Sequence, residues 1–243
     1  MAKVISITSG KGGVGKSSVA IGLATAFAFR KKRVLIIELD IGLRCIDLML
    51  GVENEVVYDL GDIVCNRCSL YDAIIHAGDI HYIAAPPNIS TQFSFKKVVD
   101  LINALKNDYD YIVIDTPAGL GISILSIRDL ADMALIVTTP DAVCIRDAAK
   151  VALMAEESGF TNYRLIINRV SKAGMKKAGI SDIDEIIDNA GAQLIGVIPD
   201  DMSYRIALSK GKKIDEKSII ADVFDAISRR IDSDYVPLIT DKL

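Results

Sequence analysis

Several absences bound this sequence. Only two histidines and four cysteines occur in 243 residues. Four cysteines are too few for a disulfide scaffold at this length, so reduced thiols are the default. No apolar stretch reaches the ~18 uninterrupted residues that a membrane-spanning helix needs. The first residues run straight into a strand, with no charged segment, apolar core and cleavage site before it, and a cytoplasmic protein is expected. No Pro- or Ser-rich linker, composition shift, repeat or low-complexity tract divides the chain. One domain over residues 1–231 with a short tail over 232–243 is therefore the expected organisation. The net charge of −4 gives no broad basic field, and DNA is not an expected partner.

What is present is apolar and periodic. Apolar, β-rich runs recur at 3–9, 33–40, 80–85, 110–115, 133–139, 163–168 and 193–199. Continuous runs such as Ala134 to Thr138 and Leu165 to Ile167 read as strands buried on both faces. Between them, 15–32, 96–107, 141–158, 181–190 and 216–231 carry apolar residues at helical spacing. Ser181, with Asp184 three residues on, predicts the N-cap of the fourth of these helices. Together they predict an α/β fold: a mostly parallel sheet of about seven or eight strands with helices on both faces. Right-handed crossovers would gather the loops after the strands along one edge.

That edge holds the candidate chemistry. Gly10, Gly15, Lys16 and Ser17 fit the spacing of a phosphate-binding loop, between the β-branched run Val4 to Thr8 and a helix-like stretch. Gly12, Gly13 and Gly15 are expected to take backbone conformations closed to other residues, so that consecutive amides, with those of Val14 and Ser18 nearby, converge on phosphate at a helix N-terminus. Lys16 would reach the β- and γ-phosphates, and the Ser17 hydroxyl would ligate Mg²⁺. The apolar run from Tyr111 ends in Asp115, an acid placed to hold Mg²⁺ through a bound water. The small segment 116–121 that follows suits a switch that moves with the γ-phosphate. Asp40 closes the second run. Two roles stay open for it: positioning the attacking water, or supporting the hydration shell of Mg²⁺. Residues 41–44 form a second candidate switch, and Glu38 and Asp47 are weaker candidates.

The loop from Lys11 to Ser17, KGGVGKS, resembles the phosphate loop of the ParA/MinD family of deviant Walker A ATPases. The segment from Asp40 to Arg44, the segment from Asp115 to Gly119, Ile145 to Asp147, Asn168 with Arg169, and Gly196 to Asp200 resemble the branch of that family that places the division septum. The resemblance implies a P-loop NTPase that binds ATP and Mg²⁺ and hydrolyses ATP to ADP and phosphate. It implies a homodimer closed around two nucleotides, with Lys11 of each copy reaching the phosphates of the other, and division regulators as partners. It further implies that Asn168 recognises adenine, that the backbone of Pro199, Asp200 and Asp201 lines the base, and that Arg169 covers the same pocket. Two related outcomes stay open: an ATPase that sets flagellar number or partitions plasmids or chromosomes, and an ATP-dependent metal or iron–sulfur carrier.

The chain departs from the family pattern in places. Family members usually end in a basic amphipathic segment that folds on anionic lipid. Here Ile219, Ile220, Val223, Phe224, Ile227 and Ile231 form an apolar stripe, and core packing is the preferred reading of it. The tail beyond has three acids, one lysine and a proline, so contact with the inner membrane face is expected only through a partner. Cys45 stands where asparagine is common, and Glu38 where aspartate is usual. Cys65 and Cys68 form a C-x-x-C pair, half of a tetrahedral metal site, which a two-fold dimer could complete.

Overall fold

The computed structural model describes residues 1–88, 94–119 and 128–238. Alternation along the strands decides the layers. In β2 (Val34–Glu38), Leu35 and Ile37 enter one core while Val34 and Ile36 enter the other. In β5 (Tyr111–Asp115), Ile112 and Ile114 join the first and Val113 the second. Successive side chains point to opposite faces, so a strand apolar throughout needs cover on both. Full burial of each such side chain stabilises by ~1.5–3 kcal/mol.

The remaining strands are β1 (Lys3–Thr8), β3 (Ile75–Ala77), β4 (Ile80–Ile83), β6 (Met133–Thr138), β7 (Tyr163–Val170) and β8 (Leu194–Pro199). They form one eight-stranded sheet in the order β3-β4-β2-β5-β1-β6-β7-β8. Every pairing is parallel except β3 with β4. The eighth strand, β3, is three residues long and turns back through Gly78 at φ +69°. Three residues are too few to show a period, so it is absent from the runs named above. Two strand ends also differ from expectation. β2 stops at Glu38, leaving Asp40 on the following loop, and β7 runs past Asn168 to Val170 through a register irregularity where Arg169 takes φ +58°.

Helices α1 (Lys16–Phe29), α4 (Phe95–Leu105), α5 (Ala142–Glu157), α7 (Ile183–Ala190) and α9 (Ile219–Ile231) match the expected stretches. The short helices α2 (Ile46–Leu50), α3 (Leu60–Val64), α6 (Lys172–Ala178) and α8 (Met202–Ser209) are additions. Each spans about two turns or fewer, too short for an apolar stripe to declare itself. The N-cap of α7 is Asp182, one residue after the expected Ser181: its carboxylate accepts from Glu185 N at 2.9 Å, while the Ser181 hydroxyl donates to the Glu185 side chain.

The apolar stripe of α9 packs inward except at Ile219, which is exposed at the first turn of the helix. Ile220, Val223, Phe224, Ile227 and Ile231 are buried, and the Phe224 ring lies where a Cβ on Gly22 of α1 would come within 2.2 Å. Only a glycine lets the two helices approach this closely. Asp232, just after α9, accepts from Arg30 at 2.8 Å and from the Tyr111 hydroxyl at 2.5 Å, which bonds the start of the tail into the body. Residues 239–243 of the tail, and 120–121 of the expected switch, lie outside the described residues.

Candidate active site

The loop between β1 and α1 lies at the C-terminal edge of the sheet, as parallel topology requires. Gly13 and Gly15 take φ of +81° and +95°, and Gly15 is the N-cap of α1. Gly12 departs from the expectation that all three glycines need such freedom. Its φ is not positive, and among the described residues a Cβ there would meet only the Ala118 Cβ, at an ordinary 3.9 Å. Gly12 therefore serves as open cavity wall, and the left-handed turns fall to Gly13 and Gly15. A Cβ on Gly15 would stand 2.4 Å from Asn168 Nδ2, and one on Gly10 would stand 2.4 Å from the Asp147 carbonyl. The loop is wedged between β7 and α5 and has no room for side chains at Gly10 or Gly15.

A cavity of about 390 Å³ opens above it, lined by Gly12, Gly13 and Gly15 with Lys16, Ser17, Ser18, Asp40, Pro117, Ala118 and Arg169. At its base, Ser17 Oγ donates to Asp115 Oδ2 at 2.6 Å. The other Asp115 oxygen is buried and has no partner among the described residues. Burial pushes the Asp115 carboxyl up to about 7, against the Ser17 hydrogen bond and the Lys16 charge, which pull it down. A hydroxyl and a carboxylate oxygen, both hard donors and one of them unspent, fit Mg²⁺. Asp40, half-buried at the rim, is likewise raised by burial and opposed by Lys16.

Other expected residues sit nearby with different partners. Lys11 is about half exposed and does not line the cavity of its own chain; its Nζ lies 3.9 Å from Asp141 Oδ1. The Asn168 amide is engaged with the phosphate loop, its Nδ2 donating to the Val14 carbonyl at 2.8 Å and its Oδ1 accepting from Arg169 N. Asp201 caps α8 by accepting from Tyr204 N at 2.9 Å, and Asp200 pairs with Arg205 at 3.1 Å. Pro199 closes β8 beside them. Gly119 N donates to the Ser9 carbonyl at 3.0 Å and Thr116 N to that of Ile7, tying the segment after Asp115 to the end of β1, just before the phosphate loop.

Several residues here have partners that the sequence did not reveal. The Tyr204 hydroxyl donates to the Ser18 carbonyl at 2.5 Å, fastening α8 to α1. Glu38 is fully buried and accepts from the amides of Cys45 and Ile46 and from the Tyr82 hydroxyl. Cys45 Sγ lies 3.5 Å from Ser17 Oγ, with its thiol pushed up to about 11 by burial. Asp47 is spent on Arg44, 2.6 Å away. Gly51 at the end of α2 and Gly211 just past α8 meet backbone to backbone: a Cβ on Gly211 would come within 2.6 Å of the Gly51 Cα. Cys65 and Cys68 are half-buried thiols, and among the described residues no three His, Cys, Asp or Glu side chains gather as a metal site. The two histidines meet edge-on across the β3–β4 hairpin, with ring centroids 4.1 Å apart and planes inclined at 63°.

The model of the ParA family, described as NUBPL iron-transfer P-loop NTPase, matches residues 1–232. The septum site-determining protein MinD of Bacillus subtilis is 36% identical over 246 residues, covering 98% of this chain and 92% of the relative. Among solved structures, the MinC:MinD cell division complex of Aquifex aeolicus is similar with a TM-score of 0.88 and 34% identity over 98% of both chains. MinD of Pyrococcus horikoshii with Mg-ADP gives a TM-score of 0.82 at 28% identity over 96% of both.

Proposed function

Because the chain belongs to the ParA family of P-loop NTPases, we propose that it is a MinD-type switch that hydrolyses ATP to ADP and phosphate in the spatial regulation of cell division. The observation that carries the chemistry is the Ser17–Asp115 pair at the foot of the loop, with its one unpartnered buried oxygen. Bound there, Mg²⁺ would neutralise charge on the β- and γ-phosphates. The loop amides hold the phosphates, and Lys16, fixed at the first turn of α1, supplies positive charge where the bridging oxygen leaves. Asp40, on the cavity rim, orients or deprotonates the attacking water. Asn168, Arg169 and the backbone at Pro199 to Asp201 flank the base.

Lys11 is the residue that makes the site a shared one. It stands half exposed outside its own cavity, so its charge is available to a second copy facing it. That placement supports ATP-bound homodimerisation, with a division regulator of the MinC kind as the proposed partner of the closed form. No helix among the described residues is long and apolar enough to cross a membrane. Contact with the inner face is proposed to run through a partner.

The Asp40→Ala variant tests this reading. With ATP and Mg²⁺ it is expected to form a stable dimer that turns over at least ~100-fold more slowly than the parent. A variant that stays monomeric, or hydrolyses at the parent rate, would overturn it.

A further inference from the structure

Strand β2 ends at Glu38, and the loop that follows carries Asp40 to the cavity rim before α2 begins at Ile46. One carboxylate closes that loop. Glu38 Oε1 accepts from Cys45 N at 2.8 Å and from Ile46 N at 3.2 Å, so the last residue of the strand holds the first amides of the helix. Helix N-termini leave their first amides without backbone partners, and a side chain at the N-cap normally takes one of them. Cys45, at the N-cap of α2, makes no such bond. Its cap comes instead from the strand behind, so the placement of α2 is set by β2.

The other oxygen of Glu38 accepts from the hydroxyl of Tyr82 on β4, the neighbouring strand. Glu38 and Tyr82 are both fully buried. A buried carboxylate is costly unless each oxygen is satisfied, and here each is. The cost is raised further because Glu38 pairs in register with Asp115, a second buried acid. The clasped loop also sets Cys45 against Ser17, the hydroxyl that faces the Mg²⁺ position, and α2 presents Met49 to the cavity wall.

We propose that Glu38 and Tyr82 are positioning residues for hydrolysis, Glu38 clasping the loop that carries Asp40 and Tyr82 fixing the orientation of the clasp. Neither touches nucleotide; both act through Asp40. The proposal deepens the reading of Asp40 given above and rests on it. Nucleotide binding relies on the phosphate-loop amides and Lys16, to which neither Glu38 nor Tyr82 is bonded, whereas turnover requires Asp40 in register with the γ-phosphate. Losing the clasp should therefore separate the two.

The test uses Tyr82→Phe, which removes one hydroxyl. The expected result is a kcat lowered about tenfold, with the Kd for Mg-ADP within about twofold of the parent. Hydrogen exchange at the Cys45 and Ile46 amides should be at least about tenfold faster while the β2 amides keep their protection. A purely structural role would lower thermal stability and leave that pattern absent. A kcat within about twofold of the parent, or unchanged exchange at Cys45 and Ile46, would overturn the proposal. Should Tyr82→Phe fail to fold with a carboxylate left unsatisfied, the double variant Tyr82→Phe with Glu38→Gln removes hydroxyl and charge together, and the same drop in kcat is expected. Asp40→Ala is measured in parallel. Undiminished hydrolysis there would sink the Asp40 assignment, whereas amide exchange at Cys45 and Ile46 reads the clasp independently of it.

Discussion

Ser17 donates its hydroxyl to one oxygen of Asp115, and the other oxygen of the same buried carboxylate has no partner among the described residues. Burial raises that carboxyl to about 7, above its ordinary value of 3.8. Between those values the folded chain holds a proton that the unfolded chain has released. Its stabilising effect is complete below the lower value and is lost as pH rises through the upper one. The melting temperature of the nucleotide-free protein is expected to fall from pH 5 to pH 8 more steeply in the parent than in Asp115→Asn. Mg-nucleotide binding, which needs the carboxylate, should release a proton and tighten over the same range. Calorimetry in two buffers of different ionisation enthalpy reads that release.

Lys11 is expected to matter only in the dimer. Lys11→Ala should bind Mg-ADP within about threefold of the parent, while ATP-driven dimerisation is lost and hydrolysis falls at least ~100-fold. Sedimentation with and without ATP separates the two effects. Its 3.9 Å pairing with Asp141 is exposed, and such pairs are worth at most ~1 kcal/mol. Asp141→Asn, which retains an acceptor for the Cys144 amide, should therefore shift the ATP needed for dimerisation by no more than about fivefold.

The contact between α1 and α9 predicts a loss of stability from an added methyl. Gly22→Ala places a Cβ in the Phe224 ring and should destabilise by about 1–3 kcal/mol, read by urea denaturation. Gly22→Ala combined with Phe224→Leu should recover part of that loss, because the smaller side chain vacates the ring position.

Asn168 spends its amide on the phosphate loop, so Asn168→Ala should weaken nucleotides with any base. We expect the Kd for Mg-ADP to rise about tenfold, roughly 1.4 kcal/mol, with Mg-GDP weakened in parallel. Loss of ADP over GDP discrimination with little loss of affinity would instead place the amide on adenine.

Lys16, Ser17 and Asp115 were legible because a loop flanked by a strand and a helix, and an acid closing an apolar strand, are local patterns. The sheet was legible for a similar reason: β2, β5 and β6 are buried on both faces and read as unbroken apolar runs. Glu38 was identifiable only as an unusual acid, since its partners lie up to 44 residues away on another strand. Tyr204, whose hydroxyl reaches Ser18 across 186 residues, had no local mark. Gly12 and Asp201 show the converse. Gly12 sits in the loop as expected without the backbone conformation that its neighbours need, and the carboxylate of Asp201, after β8, is claimed by cap geometry. Distance along the chain, not chemistry, separates most of what was readable from what was not.

Gly51 and Gly211 press backbone on backbone, both at positive φ. Each already has the smallest side chain there is, so neither can yield if the other gains a carbon. Compensation within the pair is closed off in both directions, and neither site can take a side chain without a shift of backbone. Any lineage that altered one would have to rebuild the path of the chain between α2 and α8 rather than exchange a residue.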